Sequence, residues 1–182
     1  MFDSVRIMNY TEKTLNSKYV YKSSVIDVRY DDIEITTGQK SMRIVVEHPG
    51  GVVIVAQKNS ESILMVEQYR YPIRQTVLEL PAGKLEKGEN PFVAGQRELE
   101  EETGYKANNW KSLGYINTTP GFCDEKLYLY LAQDLEFVGE HPDDGEIIQC
   151  KEYKISEIFD KINSGEINDA KTICALTRAF KL

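Results

Sequence analysis

Histidine is almost missing from the 182-residue sequence: His48 and His141 are the only two. The three cysteines, Cys123, Cys150 and Cys174, are far apart and form no CxxC pair. Together these shortages exclude a zinc site of ordinary donor spacing. An odd set of distant cysteines gives no disulfide framework either, so they read as reduced, packed thiols. Long apolar runs are lacking. The longest, VVIVA at Val52 to Ala56, is far too short to cross a bilayer. The opening MFDSVRIMNY has an acidic residue and no apolar centre, unlike a secretory signal, so no membrane partner and a cytoplasmic location are expected. No strongly basic run occurs and the net charge is −7, which argues against a nucleic-acid surface. It does not argue against phosphorylated substrates, provided a metal supplies positive charge.

What is present suits one domain with a small N-terminal addition: 41% hydrophobic residues for a core and 28% charged residues for a wet surface. YVYKSSVIDVRYDDIEI and SMRIVVEH read as strands about a TTGQK turn. VVIVAQK and SILMVEQYRY read as a hairpin, and TVLELPAG as a short strand ending at Pro81. A helix is expected from about Pro91, with Asn90 as its cap and Gly104 as its stop. WKSLGYINTT, EKLYLYLAQDL and IIQCKEYKI are further strands. Two helices follow, opened by Ser156 and Asn168. Strands outnumber helices and do not alternate with them, so the predicted class is α+β, an α/β/α sandwich around a mixed sheet.

The stretch GKLEKGENPFVAGQRELEEETGY, Gly83 to Tyr105, holds six glutamates with few basic residues to offset them. At about 100° per residue, Phe92, Gly95, Gln96, Leu99 and Thr103 gather on one face for packing. Glu98, Glu101 and Glu102 gather on another, with Arg97 beside Glu101 at i,i+4 spacing. Glu100 projects elsewhere, as a solvated charge. Three carboxylates on one stripe are either screened by water or grouped around a hard divalent cation. Oxygen donors without His or Cys suit Mg2+ or Mn2+. The glycines of PAGKLEKGE let the backbone curl back, so that the Ala82 carbonyl can join as a neutral ligand.

This segment resembles the Nudix signature, G-x5-E-x7-R-E-U-x-E-E-x-G-U, where U is bulky and aliphatic. Gly83, Glu89, Arg97, Glu98, Leu99, Glu101, Glu102 and Gly104 fill its fixed positions, and Tyr105 departs only in being aromatic. The resemblance implies metal-dependent hydrolysis of a nucleoside diphosphate linked to another group. Carried over residue by residue, it makes Glu98, Glu101, Glu102 and the Ala82 carbonyl metal ligands. Arg97 becomes the residue that orients a glutamate, and Glu89 joins through water or hydrogen bonds. It also divides the chain into an N-terminal β region, 1–48, and a Nudix catalytic domain, 49–182.

Pro120, sixteen residues after Gly104 in TTPGFCDE, together with EQYRYP and ELPAGKLE, is similar to the ADP-ribose pyrophosphatase subgroup. That likeness implies cleavage of ADP-ribose to AMP and ribose 5-phosphate. It also implies phosphate or adenine-side contacts from Arg43 and Arg70, and a ribose contact from Glu125. The alternative for each arginine is a plain strand-surface charge. A GDP-mannose or other nucleotide-sugar hydrolase is the nearest rival activity. A non-catalytic nucleotide-sensing module is the rival from another class. Because the helix glutamates serve as ligands, the catalytic base is expected outside the helix; the likeness to the ADP-ribose subgroup implies an acidic residue on the loop GEHPDDGE, aligned best at Asp144 or, failing that, Glu146, with Glu101 next in line. A homodimer is expected, because the N-terminal strands make too small a sheet to stand alone in water.

Overall fold

The computed structural model describes residues 10–139 and 147–181. They fall into two units, one running to His48 and including Thr119–Glu125, the other comprising Pro49–Thr118 and the chain from Lys126 onward.

The first unit is a three-stranded antiparallel sheet of β1 (Lys13–Lys22), β2 (Asp27–Glu34) and β3 (Lys40–Glu47), in that order. The TTGQK turn forms as expected, with Gly38 at a φ of 83° and the Ile35 N–H donating to the Gln39 carbonyl at 3.0 Å. β1 starts at Lys13, ahead of the apolar residues that mark it in the sequence. Every residue of this edge strand is exposed, so KTLNSK carries no alternation to read. The PGFCD segment adds to the same unit. The Val46 N–H donates to the Phe122 carbonyl at 2.8 Å, and the Asp124 N–H donates to the Val46 carbonyl at 3.1 Å.

The second unit contains β4 (Gly51–Gln57), β5 (Ser62–Arg70), β6 (Gln75–Glu79), β7 (Ala82–Lys84), α1 (Pro91–Thr103), β8 (Tyr105–Asn117), β9 (Lys126–Phe137), β10 (Ile148–Lys154), α2 (Ile155–Asn163) and α3 (Ala170–Phe180). The sheet runs β10-β5-β4-β9-β8, with β6 on β5 and β7 on β4. β4 and β9 are parallel and the other pairs antiparallel, so the sheet is mixed. β4 is buried nearly throughout because both faces are covered, which is why VVIVA has no polar alternation. Its side chains still alternate. Val53 and Val55 pack with Ile158 of α2 and Leu176 of α3, and Val52 and Ile54 pack with Ala94 and Leu99 of α1. The fold is the expected α+β sandwich.

Four local details differ from the sequence reading. The sequence places the end of the preceding strand at Pro81 and no strand at β7, since three residues, two of them small, show no period. β7 pairs with β4 through Val53 and Ala82, Val52 and Gly83, and Gly51 and Lys84. α2 begins at Ile155 rather than with Ser156 as cap, because the Ile155 N–H already donates to the Glu61 carbonyl at 2.8 Å. α3 is capped by Asp169, not Asn168; its carboxylate accepts from the Thr172 N–H at 3.0 Å. On α1 the expected caps hold. Asn90 accepts from the Phe92 N–H at 2.9 Å, and Gly104 closes the helix at a φ of 73°. Gln96 does not join the packing face: it is exposed, and Ala94 is buried instead.

Candidate active site

α1 lies across β7 and β4 through Ala94 and Leu99, with Gly95 against Tyr130 and Trp110, which leaves its acidic stripe half-buried along β7. Arg97 is the hub of that stripe. Its Nε and Nη2 each donate to one oxygen of Glu89 at 3.1 Å, a two-pronged contact that a lysine cannot make. Its Nη1 donates to Glu98 Oε1 and to Glu101 Oε2, both at 2.8 Å. Nη2 also reaches the Lys84 carbonyl at 3.3 Å, tying the hub to β7. The sequence predicted the contact with Glu101 alone; those with Glu89 and Glu98 needed the fold of the preceding loop. Glu100 points away from the hub and pairs with Lys106 at 3.2 Å.

The charge states follow from these contacts. Arg97 is held more firmly protonated than usual, by hydrogen bonding to Glu89 first, against the opposing effect of burial, with Glu98 and Glu101 adding. The Glu89 carboxyl is pushed below the ordinary glutamate range by Arg97 and then by the Glu86 N–H, which donates to it at 2.9 Å.

Two contacts fix β7 against the helix. The Ala82 N–H donates to Glu102 Oε2 at 2.8 Å. Gly83 faces Glu98 so closely that a Cβ there would lie 1.8 Å from the carboxylate carbon. The absent side chain is the room in which Glu98 sits.

Glu98, Glu101, Glu102 and the Ala82 carbonyl offer oxygen donors of the chemistry that a hard divalent cation takes. A glycine leaves space at Glu98, and one guanidinium faces Glu98 and Glu101. Among the described residues, no three His, Cys, Asp or Glu side chains already converge as a ready-made metal cage. Arg97 draws Glu98 and Glu101 to itself.

Of the residues expected to touch substrate, Arg70 belongs to this unit. Its Nε donates to Glu79 Oε1 at 2.7 Å. Burial alone would make it easier to deprotonate, but Glu79, with Glu102 and Asp169 adding, holds it more firmly protonated. Sequence reasoning missed Glu79 and Lys171, which also bonds Glu79. The available signal was a lone glutamate within the apolar TVLEL. Arg43 and Glu125 belong to the first unit. Arg43 pairs with Glu12, its Nε donating to Oε2 at 2.9 Å, and Glu125 lies 3.3 Å from His48 Nδ1. Asp144 and Glu146 lie outside the described residues. Cys123, Cys150 and Cys174 are half-buried and form no disulfide, and no helix among the described residues is long and apolar enough to cross a membrane.

An oxygen-rich helix stripe gathered by an arginine and backed by a glycine strand is the arrangement that the Nudix-like signature leads one to expect. The NUDIX domain family matches residues 47–176, and the chain belongs to that family. It is 40% identical over 169 residues to the methanol dehydrogenase activator of Bacillus methanolicus, covering 92% of this chain and 91% of that one. It is 39% identical over 167 residues to the ADP-ribose pyrophosphatase of Bacillus subtilis, covering 91% and 90%. The fold matches a crystal structure of an ADP compounds hydrolase with a TM-score of 0.82 at 23% identity, covering 93% of this chain and 92% of that one.

Proposed function

We propose that the protein hydrolyses the pyrophosphate bond of ADP-ribose, giving AMP and ribose 5-phosphate, with Mg2+ or Mn2+ held by Glu98, Glu101, Glu102 and the Ala82 carbonyl. The observation that carries the reading is the Arg97 hub with its Gly83 recess. Similarity to a protein named ADP-ribose pyrophosphatase favours this nucleotide over others. When bound, the metal neutralises the diphosphate and makes water a better nucleophile. The chain's own residues do the rest. Arg97 holds Glu89, Glu98 and Glu101 in place against their mutual repulsion, and the Arg70 guanidinium supplies phosphate donors. The proton of the attacking water goes to a carboxylate that is not a ligand, Asp144 or Glu146. Glu101 comes after them, since it is counted among the metal ligands.

We take the working form to be a homodimer. Tyr30, Met42 and Ile44 are exposed on the three-stranded sheet, where Tyr30 pairs with Ile44 and Met42 with Asp32. Such a sheet is marginal in water unless its apolar side is covered. Sedimentation at micromolar concentration is expected to give twice the chain mass; an active monomer would contradict this.

The deciding experiment is a panel of ADP-ribose, GDP-mannose and other nucleoside diphosphate sugars with Mg2+. ADP-ribose is expected to have the highest kcat/KM, with AMP as product. Preference for GDP-mannose would transfer the reading to that substrate. The similarity to a dehydrogenase activator favours a second reading, in which the chain acts on a dehydrogenase; coupled assays with and without hydrolysable substrate separate the two.

A further inference from the structure

Glu79, the last residue of β6, is 1% exposed. A carboxylate so far from water needs partners, and it has one at each oxygen. Arg70 Nε donates to Oε1 at 2.7 Å and Lys171 Nζ donates to Oε2. Lys171 also lies 3.0 Å from Asp169, the cap of α3. The set is two carboxylates and two cations, so it is balanced without any further anion.

The two cations are not equivalent. The Lys171 side chain is 15% exposed and that of Arg70 is 40% exposed. Lys171 is spent inside the protein. Arg70 commits Nε to Glu79, and a guanidinium carries four further N–H donors on its two Nη nitrogens. Held by Nε alone among the described residues, it is a fork with its handle fixed.

The fixing point is linked to the acidic helix by three residues of chain. The Leu80 N–H donates to the buried Thr172 hydroxyl at 3.0 Å, the Pro81 carbonyl accepts from the Ile54 N–H at 2.9 Å, and the Ala82 N–H donates to Glu102 at 2.8 Å. Every residue from Glu79 to Ala82 is therefore anchored, Glu79 to β5 and α3, Leu80 to α3, Pro81 to β4 and Ala82 to α1, and Arg70 and Glu102 are held by the two ends of one tethered segment. A simple tie between β6 and α3 does not require this arrangement. The Leu80–Thr172 bond and the apolar contacts of Leu80 with Leu176 already make that tie. A buried ion pair is also seldom a net gain over apolar packing.

The geometry points to Glu79 as a positioning residue: with Lys171 it fixes Arg70 so that the guanidinium's Nη end meets the diphosphate of a nucleoside diphosphate substrate. The inference rests on the diphosphate-hydrolase reading above, but its effect is on binding and can be measured without turnover.

The test is a cycle of wild type, Glu79→Gln, Arg70→Ala and the double variant. Calorimetric binding of ADP in Mg2+ is measured beside ADP-ribose kinetics. Glu79→Gln is expected to weaken ADP binding and raise KM by about tenfold, with kcat within about threefold of wild type. In the Arg70→Ala background it should add nothing, since there is no fork left to position. Glu79→Asp keeps the charge and is the check if the glutamine variant fails to fold; its shorter side chain withdraws from Nε, and it too should weaken ADP. Additive losses across the cycle, or variants that bind ADP like wild type, would overturn the role. Wild type that fails to bind ADP would overturn it as well. Wild type that binds ADP but cleaves no nucleoside diphosphate sugar defeats the functional reading alone, and the ADP cycle still judges Glu79.

Discussion

Gly83 and Glu98 share one space: a Cβ on the glycine would lie 1.8 Å from the Glu98 carboxylate carbon. No rotamer adjustment of a few tenths of an ångström relieves such an overlap. The overlapping atoms are the end of a flexible side chain, so Gly83→Ala should turn Glu98 out of line at little cost in stability. Misplacing a catalytic group by an ångström costs about a hundredfold in rate. We expect a loss of kcat/KM of about that size with Tm little changed. Wild-type activity in the alanine variant would show that Glu98 does not need this position.

Arg97 and Glu89 give the fold an acid limit. The Glu89 carboxyl titrates lower in the folded chain than in the unfolded one. The pair therefore stabilises fully above the ordinary glutamate range, and that contribution is lost as pH falls through the lowered value. Arg97→Gln should lower Tm at neutral pH and flatten its fall in acid. Thermal unfolding followed across the acid range in both proteins checks this. Parallel curves would mean the pair contributes no pH-dependent stability.

Glu98→Gln, Glu101→Gln and Glu102→Gln should each cut turnover by at least about tenfold while the fold stays intact, because each removes one anionic donor from the metal set. Excess chelator should abolish wild-type hydrolysis, and Mg2+ or Mn2+ should restore it. Undiminished activity in chelator would end the metal assignment.

Asp144→Asn and Glu146→Gln, assayed separately at saturating Mg2+, should identify the base. One of them should lower kcat by about a hundredfold with little change in substrate affinity. If both turn over like wild type, the proton acceptor belongs to α1, with Glu101 first.

The sequence alone determined the sheet's central strand and the acidic helix, for local reasons. VVIVA is apolar without a break because both faces of β4 are covered. Asn90, Pro91 and Gly104 bound α1 through bonds made within a few residues. The i, i+3 and i+4 spacing of Glu98, Glu101 and Glu102 places them on one stripe whatever surrounds the helix. Tertiary structure decided what each glutamate bonds. Glu89 reaches Arg97 across eight residues, and Glu102 reaches Ala82 across twenty, only because β7 pairs with β4 and lies along α1. β7 itself has no readable period, since Ala82 and Gly83 are chosen for closeness to the helix rather than for burial. Glu79 and Lys171 stand ninety-two positions apart and meet only when α3 packs on the sheet. Their pairing is a property of the assembled layers, and no spacing within the chain encodes it.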